Sequence, residues 1–549
     1  DSGGYERWEF WWERNKDAYL NLKSRLAEGV NVSGSSGFLT GRGSKDSAFN
    51  TIRPSQKIIH STMIPALKGA LGEDHADILD AVALALARIT ASEEAGLVLP
   101  DILGLLNSKH ESAMQSATLG LGVLGAPDPS DALYELLIDS AQGRHLVGRH
   151  EVPVKVRAFA ALSLGFINNS AGADRLIQVI RRAPDRESDL KAAAITALGL
   201  MRNNPRQDAI MDLLIQLLKE RKMDPLVKSC VPISLGKLGD PTALPALLAT
   251  FRDKQQSDPV LQSCAIALGL IGEITDEEVI RLLKSYIENG NDRQTQNFSF
   301  MALAQIGAND KAMESHSEAH MALMNFLLKN VVMPDKTAHR PWAALAAAIH
   351  ARAHGVLQPA VINKIRESFE RHKNPSHRAA MAISLGLLNA QGEADLLLDE
   401  FKASHEDALK GYICVSLGLM NHKASADRIL DVVGATHSDG LRLKAAMALG
   451  LMGDRQVVDL LVQVLKNGET VSVTASAARA LGLIGDVHAI PLLCEIVGDK
   501  KTNDTIRGFA VCALGLIGEK TDLPWYAVIT ENFNYRSCAA SLTEIFDLL

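Results

Sequence analysis

One seven-residue stretch occurs twice near the end of the chain, as Ala480-Leu-Gly-Leu-Ile-Gly-Asp486 and as Ala513-Leu-Gly-Leu-Ile-Gly-Glu519. Close variants occur earlier, and the last five of their first glycines are Gly386, Gly418, Gly450, Gly482 and Gly515. These glycines recur at a nearly constant interval, and such a period indicates a stacked array of structural repeats. Alignment on this glycine gives about thirteen units, at Ala87, Gly122, Gly165, Gly199, Gly236, Gly269, Ala304, about Ala346, Gly386, Gly418, Gly450, Gly482 and Gly515.

Each unit has the pattern of two helices. The first is amphipathic, as in residues 208–219 and 456–466, where apolar residues recur at i, i+3, i+4 and i+7. The second carries the glycine, which lacks a Cβ and lets a neighbouring helix approach closely. We therefore predict an all-α fold, a right-handed α-solenoid in which helix pairs form a superhelix. The array covers residues 51–520.

The composition limits the classes of function. Apolar residues make up 47% of the 549, and the formal net charge is −7, which argues against a nucleic-acid scaffold. No run of about 18 apolar residues occurs, so no transmembrane helix is expected. The six cysteines show no Cys-x-x-Cys spacing and are expected to be free thiols in the core. No motif indicates a cofactor.

Residues 1–27 form an aromatic N-terminal segment. Trp8, Trp11, Trp12 and Tyr19 fall at helical spacing among charged residues. Three roles stay open for this segment: a cap on the open end of the solenoid, an anchor that docks onto a partner, or insertion at a membrane surface. Residues 28–50, rich in Gly and Ser, are predicted to be a linker.

The array carries insertions, and residues 521–549 depart from the repeat and are predicted to form a C-terminal cap. One insertion, residues 142–153, contains Arg144 and Arg149 with two histidines, and could receive an anion or an acidic partner; the alternative is a solvated loop. Another, residues 333–342, ends at Trp342. Insertions in a solenoid are frequent binding sites. We therefore predict partner contacts at both insertions and at the aromatic segment.

The repeat resembles the HEAT-repeat superfamily. The resemblance rests on second helices of the form Val/Ile-Arg/Lys-x-x-Ala-x-x-Ala-Leu-Gly-x-Ile/Met-Gly-Asp and covers roughly residues 60–520. Within the superfamily the units are similar to the short bacterial type also found in phycobilin-lyase-like proteins. The segment 8–17 before the array also resembles exported HEAT proteins of planctomycete-type bacteria. The resemblance implies about thirteen HEAT-like helix pairs and names no activity.

Histidines are concentrated in residues 316–377. His316/His320 and His350/His354 are both i, i+4 pairs, and each pair places two imidazoles on one helix face, as zinc or haem sites require. Because the His-Glu-x-x-His placement is missing, we predict no metal and keep these four residues as weak candidates. Three His-Glu pairs resemble the ligand pairs of the HEAT enzyme deoxyhypusine hydroxylase, but they are too scattered to meet at one centre.

A basic residue stands eight positions before the repeat glycine in seven units, at Arg157, Lys191, Lys228, Arg378, Lys410, Arg442 and Arg507. We expect this ladder to pair with acidic residues of neighbouring units; the alternative is a groove that meets an acidic partner.

These patterns favour a non-enzymatic scaffold that holds protein partners or copies of itself, without nucleic acid. The alternative is a phycobilin-lyase-like enzyme or accessory protein, or a metal-binding protein that uses the histidines of 316–377. The chain starts at Asp1 without Met, which fits either an exported protein whose signal peptide was removed or a trimmed cytoplasmic one.

Overall fold

The computed structural model describes residues 4–20, 54–126, 130–184, 186–333, 337–453, 456–467, 470–521 and 524–536. These residues are helical, and no β-strand occurs among them. The predicted linker 28–50, the end of the aromatic segment and positions 537–549 of the predicted C-terminal cap lie outside the described residues. None of the described helices combines the length and the apolar character needed to cross a bilayer.

The helices occur as consecutive pairs, as the periodicity predicts. An aromatic helix α1 (Trp8–Leu20) precedes them, and the described residues then contain thirteen pairs with one extra helix, α7. In chain order they are α2 (Ile64–Ala70) and α3 (Ala76–Ile89), α4 (Leu99–Leu105) and α5 (Glu111–Leu124), α6 (Ser130–Leu137), α7 (Ala141–Val147) and α8 (Val154–Ile167), α9 (Ser170–Arg182) and α10 (Ser188–Leu200), α11 (Gln207–Lys219) and α12 (Pro225–Leu238), α13 (Leu244–Arg252) and α14 (Asp258–Ile271), α15 (Glu277–Asn289) and α16 (Arg293–Asn309), α17 (Ser317–Val332) and α18 (Arg340–Ala353), α19 (Gln358–Arg371) and α20 (Pro375–Leu387), α21 (Ala394–Ala403) and α22 (Asp407–Leu419), α23 (Ala426–Ala435) and α24 (Asp439–Leu451), α25 (Gln456–Asn467) and α26 (Val471–Ile484), and α27 (Ile490–Gly498) and α28 (Asp504–Ile517). Helical turns at Gln56–Ile58 and Ile59–Met63 lead into α2, and a short helix α29 (Ala527–Thr530) follows the array.

The chain forms two compact units, each discontinuous in sequence. Unit 1 comprises residues 1–15, 125–373 and 526–549, and unit 2 comprises residues 16–124 and 374–525. In unit 1 the second helices α8, α10, α12, α14, α16 and α18 pack one on the next. The repeat glycine sets their spacing: a Cβ on Gly199 would lie 2.5 Å from the Cα of Ser234 on the following second helix. Only glycine permits so close an approach.

Unit 2 contains both the first and the last repeats. Its second helices α20, α22, α24, α26 and α28 pack in series, and α28 in turn packs against α3 of the first pair. The register of this last contact matches the others. A Cβ on Gly482 would lie 2.8 Å from the Cα of Ala513, and one on Gly515 would lie 3.1 Å from the Cα of Ala85. The last repeat thus stacks on the first as if it were the next repeat.

The basic ladder binds two kinds of acceptor. Arg157 Nη2 lies 3.1 Å from Glu187 Oε2 of the next unit, and Arg378 pairs with Glu400 in the same way. Several ladder residues also donate to carbonyls at the end of the preceding first helix, as Arg442 Nε does to Val433 O over 3.1 Å and Lys228 Nζ to Glu220 O over 2.7 Å. A cation there complements the helix dipole. At these positions the ladder is structural, as expected.

The two terminal segments of unit 1 pack on α16 and α18, which are second helices of this unit. Trp11 meets Trp342 of α18 at a ring-centroid distance of 6.3 Å, and Asn15 Oδ1 accepts a hydrogen bond of 2.9 Å from the backbone N–H of Asn532. Tyr535 packs on Phe298 of α16. Residues 4–15 and 526–536 therefore pack on α16 and α18 of unit 1, whereas the end-cap hypothesis placed the aromatic segment at an end of the array.

Candidate functional site

Three buried histidines converge in unit 1, and we call His320, His350 and His354 the histidine cluster. One nitrogen from each ring lies within 4.8 Å of those of the other two. His320 belongs to α17, His350 to α18, and His354 is the residue that ends α18. All four weak metal candidates of the sequence meet here, because His316 joins the cluster through Asp310, which accepts hydrogen bonds from both His316 and His320.

Local sequence explains how the rings fit into the interior. Helix α18 is rich in alanine, and its small side chains allow α17 and α16 to pack closely around it. Gly307, near the end of α16, faces the His350 ring, and a Cβ there would lie 2.7 Å from His350 Cδ2. A glycine at this position therefore makes the space that the imidazole occupies.

The hydrogen bonds fix which ring nitrogens carry protons. His320 Nε2 lies 2.8 Å from Asp310 Oδ2, and His354 Nε2 lies 2.8 Å from the carbonyl oxygen of Gly307. An ionised carboxylate and a carbonyl only accept hydrogen bonds, so both Nε2 atoms donate and each Nδ1 keeps its lone pair. His320 Nδ1 then accepts from His350 Nε2 over 2.8 Å.

This arrangement leaves one nitrogen unsatisfied. His350 Nδ1 is buried and has no hydrogen-bond partner. Because His350 Nε2 donates its proton to His320, the lone pair of His350 resides on Nδ1. A buried acceptor without a partner costs free energy, so such an atom calls for an explanation such as a bound ion.

The pKa shifts of His320 and His350 favour neutral imidazoles, and that of Asp310 favours a charged carboxylate. Burial, with the charges of His320 and His354 adding to it, lowers the pKa of His350 to about 3. Burial also lowers the pKa of His320, although Asp310 opposes the shift. Burial disfavours ionisation of Asp310 itself, but hydrogen bonds from His316, Ala312 and His320 outweigh it and lower its pKa to about 2. Neutral imidazole is the form that ligates metals.

Other parts of the site were not identified from the sequence. Asp310 and Gly307 hold the Nε2 atoms of His320 and His354. The nearby acidic residues Glu314 and Glu318 are exposed. Asp310 lies just beyond the end of α16, and Gly307 within its last turn. The separation of His350 from His320 by 30 residues, close to the repeat period, is the signal that could have joined the two histidine pairs.

Most of the aromatic residues that were predicted to contact a partner are buried. The side chains of Trp8, Trp11, Trp12 and Trp342 are at most 3% exposed, and Tyr19 is half-buried. The four indoles are therefore not exposed, and the binding of a partner by these residues stays a prediction. Trp342 lies in the first turn of α18 rather than in a protruding loop.

The insertion at 142–153 is ordered. It forms most of α7, whose N-terminus Ser140 caps by accepting from the Gly143 N–H. Arg144 is exposed and forms a bidentate pair with Asp139, with Nη2 2.6 Å from Oδ2, and Arg149 is half-buried. Residues 142–147 are helical and residues 148–153 are not, so the alternative of a solvated loop stays open. The charge of Arg144 is already paired within the chain, which weakens the prediction of an anion site.

Comparisons with known proteins agree with the fold. The model for HEAT repeats matches residues 173–269, and the model for the PBS lyase HEAT-like repeat matches residues 441–467 and 475–499. No curated protein matches the chain in sequence.

Similar solved structures include the complex of CpcE and CpcF of phycocyanin lyase from Nostoc sp. PCC7120, which is 20% identical over 45% of this chain and 92% of its own, with a TM-score of 0.31. Human deoxyhypusine hydroxylase in complex with glycerol is 16% identical over 54% of this chain and 97% of its own, with a TM-score of 0.23. Kap121p bound to Pho4p is 14% identical over 92% of this chain and 63% of its own, with a TM-score of 0.41.

The family matches confirm the resemblance inferred from the sequence in both halves of the chain. This all-α protein contains HEAT repeats over residues 173–269 and PBS lyase HEAT-like repeats over residues 441–467 and 475–499.

Proposed function

We propose that the chain is a non-enzymatic scaffold that binds a protein partner through an insertion surface in unit 1, formed by Ile138, Arg144 and Val154. The observation that carries this proposal is the exposure of two large apolar side chains at the insertion. Ile138 is 40% exposed and Val154 is 46% exposed. Arg144 is also exposed, and it belongs to α7, the helix between these two residues in the chain. Exposed apolar residues around a polar group are typical of protein interfaces.

Hydrogen bonds hold this surface in one conformation. Asp139 Oδ1 accepts from the Val152 N–H over 2.8 Å and from Arg144 Nε over 2.9 Å. Arg157 Nε donates to Leu137 O over 3.0 Å. These bonds tie the backbone on either side of Ile138 to the segment that carries Val154. A preformed surface loses little conformational entropy on binding, which favours affinity.

The environment of the cysteines supports a non-enzymatic role. Burial raises the pKa of Cys230 and of Cys414 to about 12, and it raises that of Cys494 to about 11. The thiolate is the nucleophilic form, so these thiols are unreactive at neutral pH. Cys230 and Cys414 are buried in the core, and Cys494 is half-buried.

One observation favours a second candidate, a phycobilin-lyase-like enzyme or accessory protein. It is the match of residues 441–467 and 475–499 to the PBS lyase HEAT-like repeat. The absorbance spectrum of protein purified from its native source tests this candidate. A visible band that comigrates with the chain would favour it over the scaffold, and absorbance from aromatic side chains alone would count against it.

The scaffold is tested by affinity capture from the native source, followed by mass spectrometry. The wild-type chain is compared with the double variant Ile138→Asp, Val154→Asp, and with Val356→Asp as the matched control. Val356 is also in unit 1 and is 74% exposed, but it lies on the turn before α19. All three chains are first compared by circular dichroism.

The expected result is a partner that the wild-type chain and the Val356→Asp variant recover and the double variant loses. A second copy of the chain as that partner would support self-association. Equal recovery by all three chains would overturn the assignment of the partner site to the insertion surface.

A further inference from the structure

We propose that the histidine cluster is a transition-metal site in which His320, His350 and His354 supply three imidazole ligands to one divalent ion, Zn²⁺ or a metal of similar preference. This site is separate from the insertion surface and does not depend on the scaffold function. The cluster joins α17 to α18, and through Asp310 and Gly307 it also holds the end of α16. The metal would therefore stabilise the packing of two consecutive repeats.

The first argument is the convergence of ligand atoms. One nitrogen from each of the three rings lies within 4.8 Å of the other two. A tetrahedral zinc ion with Zn–N bonds of about 2.0–2.1 Å needs its nitrogens about 3.3 Å apart. The nitrogens of His320 and His350 are 2.8 Å apart. An ion would replace the hydrogen bond between these two histidines, and the rings would rotate to reach the required spacing.

The second argument is the set of groups around the rings. Metal-bound histidines almost always donate their other N–H to a carboxylate or a backbone carbonyl, which fixes the tautomer and the orientation of the ring. His320 Nε2 has Asp310 at 2.8 Å, and His354 Nε2 has the Gly307 carbonyl at 2.8 Å. These two contacts leave the Nδ1 lone pairs for a metal.

The third argument is the unsatisfied nitrogen. His350 Nδ1 is buried without a partner, although the remaining nitrogens of the His320–His350 pair are hydrogen-bonded. Coordination through Nδ1 of His350, after a turn of the ring, would give this lone pair a partner.

The donor set narrows the choice of metal. Imidazole suits Zn²⁺, Cu²⁺, Ni²⁺ and Fe²⁺, whereas Mg²⁺ and Ca²⁺ require oxygen ligands. Three histidines leave a fourth position of a tetrahedral ion for water or another small ligand. The negative charge of Asp310 lies one hydrogen bond away and partly balances the charge of the cation.

The experiment uses the full chain with its affinity tag removed and its metal stripped by a chelator. Co²⁺ is titrated while its visible absorption is recorded, and Zn²⁺ is then added in competition. We expect one Co²⁺ per chain, with the absorption of tetrahedral nitrogen coordination, displaced by one Zn²⁺. At free Zn²⁺ roughly 100-fold above Kd, Tm is expected to rise by about 5 °C.

Three variants locate the ion. We expect His350→Ala and His354→Ala to abolish stoichiometric binding, and Asp310→Asn to weaken it roughly 10- to 100-fold through the loss of a carboxylate on His320. His405→Ala is the matched control, because His405 is an exposed histidine in unit 2 and its loss should leave the titration unchanged.

The proposal is overturned if the wild-type chain shows no saturable binding, or if His350→Ala and His354→Ala bind as the wild type does. Should these variants fail to fold, anomalous diffraction from wild-type crystals grown with Zn²⁺ decides the question. An ion among the three rings would support the site, and ions found only elsewhere would contradict it.

Discussion

Arg88 Nε lies 2.6 Å from Glu519 Oε2 in a buried ion pair, although 431 positions separate the two residues in the chain. The neighbouring Lys520 Nζ donates to the carbonyls of Ala87 and Thr90, each over 3.1 Å. The pair therefore belongs to the contact of α28 with α3, which stacks the last repeat of unit 2 on the first. A buried pair of this kind makes the contact specific, because each charge is costly to bury without the other.

Loss of the carboxylate should weaken this contact. In Glu519→Gln the guanidinium of Arg88 stays buried without its counter-ion, and we expect the free energy of unfolding of unit 2 to fall by about 3 kcal/mol. Urea unfolding measures the loss, and hydrogen exchange should show faster exchange in α3 and α28. Glu495→Gln, at an exposed position in unit 2, is the control and should change neither. Equal exchange in all chains would mean that the first and last repeats do not depend on each other.

Two glycine substitutions in unit 2 should have opposite effects. In Gly482→Ala the new Cβ would lie 2.8 Å from the Cα of Ala513, and we expect a loss of about 1–3 kcal/mol from overpacking. Gly104 lies within α4 and has no atom within 4 Å of its Cβ position, so Gly104→Ala should stabilise the chain by up to about 1 kcal/mol. Thermal unfolding of both variants measures the difference. Destabilisation by both would show that close approach is not the reason for the repeat glycine.

The helix pairs could be predicted from the sequence because the same periodic residues determine both the helices of a repeat and its contact with the next repeat. The thirteen aligned positions, from Ala87 to Gly515, all fall on second helices. The contact of the last repeat with the first is long-range and carries no period. One signal for it is present in the sequence, because Gly515 and Arg507 keep the repeat pattern in the last unit. In an open array Gly515 would have no following helix to face, and Arg507 would have no acceptor in a following unit. In the structure Arg507 Nη2 donates to Glu73 over 3.0 Å.

The candidate site could be predicted only in part. The i, i+4 spacing predicted that each histidine pair shares one helix face. His320 and His350 lie within α17 and α18, whereas His316 and His354 are the residues that flank these helices. Asp310 joins His316 to His320. The meeting of the two pairs depends on the packing of α17 against α18, and that packing is set by side chains spread over both helices. The burial of Trp342 depends on Trp11, which lies far away in the sequence, and no local pattern can reveal such a contact.

The stability of unit 2 should depend on pH through Asp80. Burial raises the pKa of Asp80 from 3.8 to about 6, and Oδ1 has no hydrogen-bond partner. The folded pKa exceeds the unfolded one, so the folded state loses stability as pH rises from about 4 through 6. We expect Asp80→Asn to be more stable than the wild type by about 2 kcal/mol at pH 8 and by less than about 1 kcal/mol at pH 4.

Urea unfolding at the two pH values tests this expectation. Asp427→Asn, at an exposed aspartate in unit 2, is the control and should show no such pH-dependent gain. A gain of the same size at both pH values would assign the effect of Asp80→Asn to packing instead of ionisation.

The contact of Trp11 with Trp342 separates an intramolecular role of the aromatic segment from a partner anchor. Both indoles are almost fully buried, and their ring centroids lie 6.3 Å apart at an interplanar angle of 60°. We expect Trp11→Ala and Trp342→Ala each to cost about 3 kcal/mol, and the double variant to cost about 0.5–1.5 kcal/mol less than their sum. Urea unfolding of the four chains measures this coupling energy.

Val356→Ala, at an exposed site in unit 1, is the control and should leave the stability unchanged. If Trp11→Ala left the stability unchanged and abolished the capture of a partner, the segment would instead be an anchor. These two results together would mean that the Trp11 ring contacts the partner and is not buried within the chain.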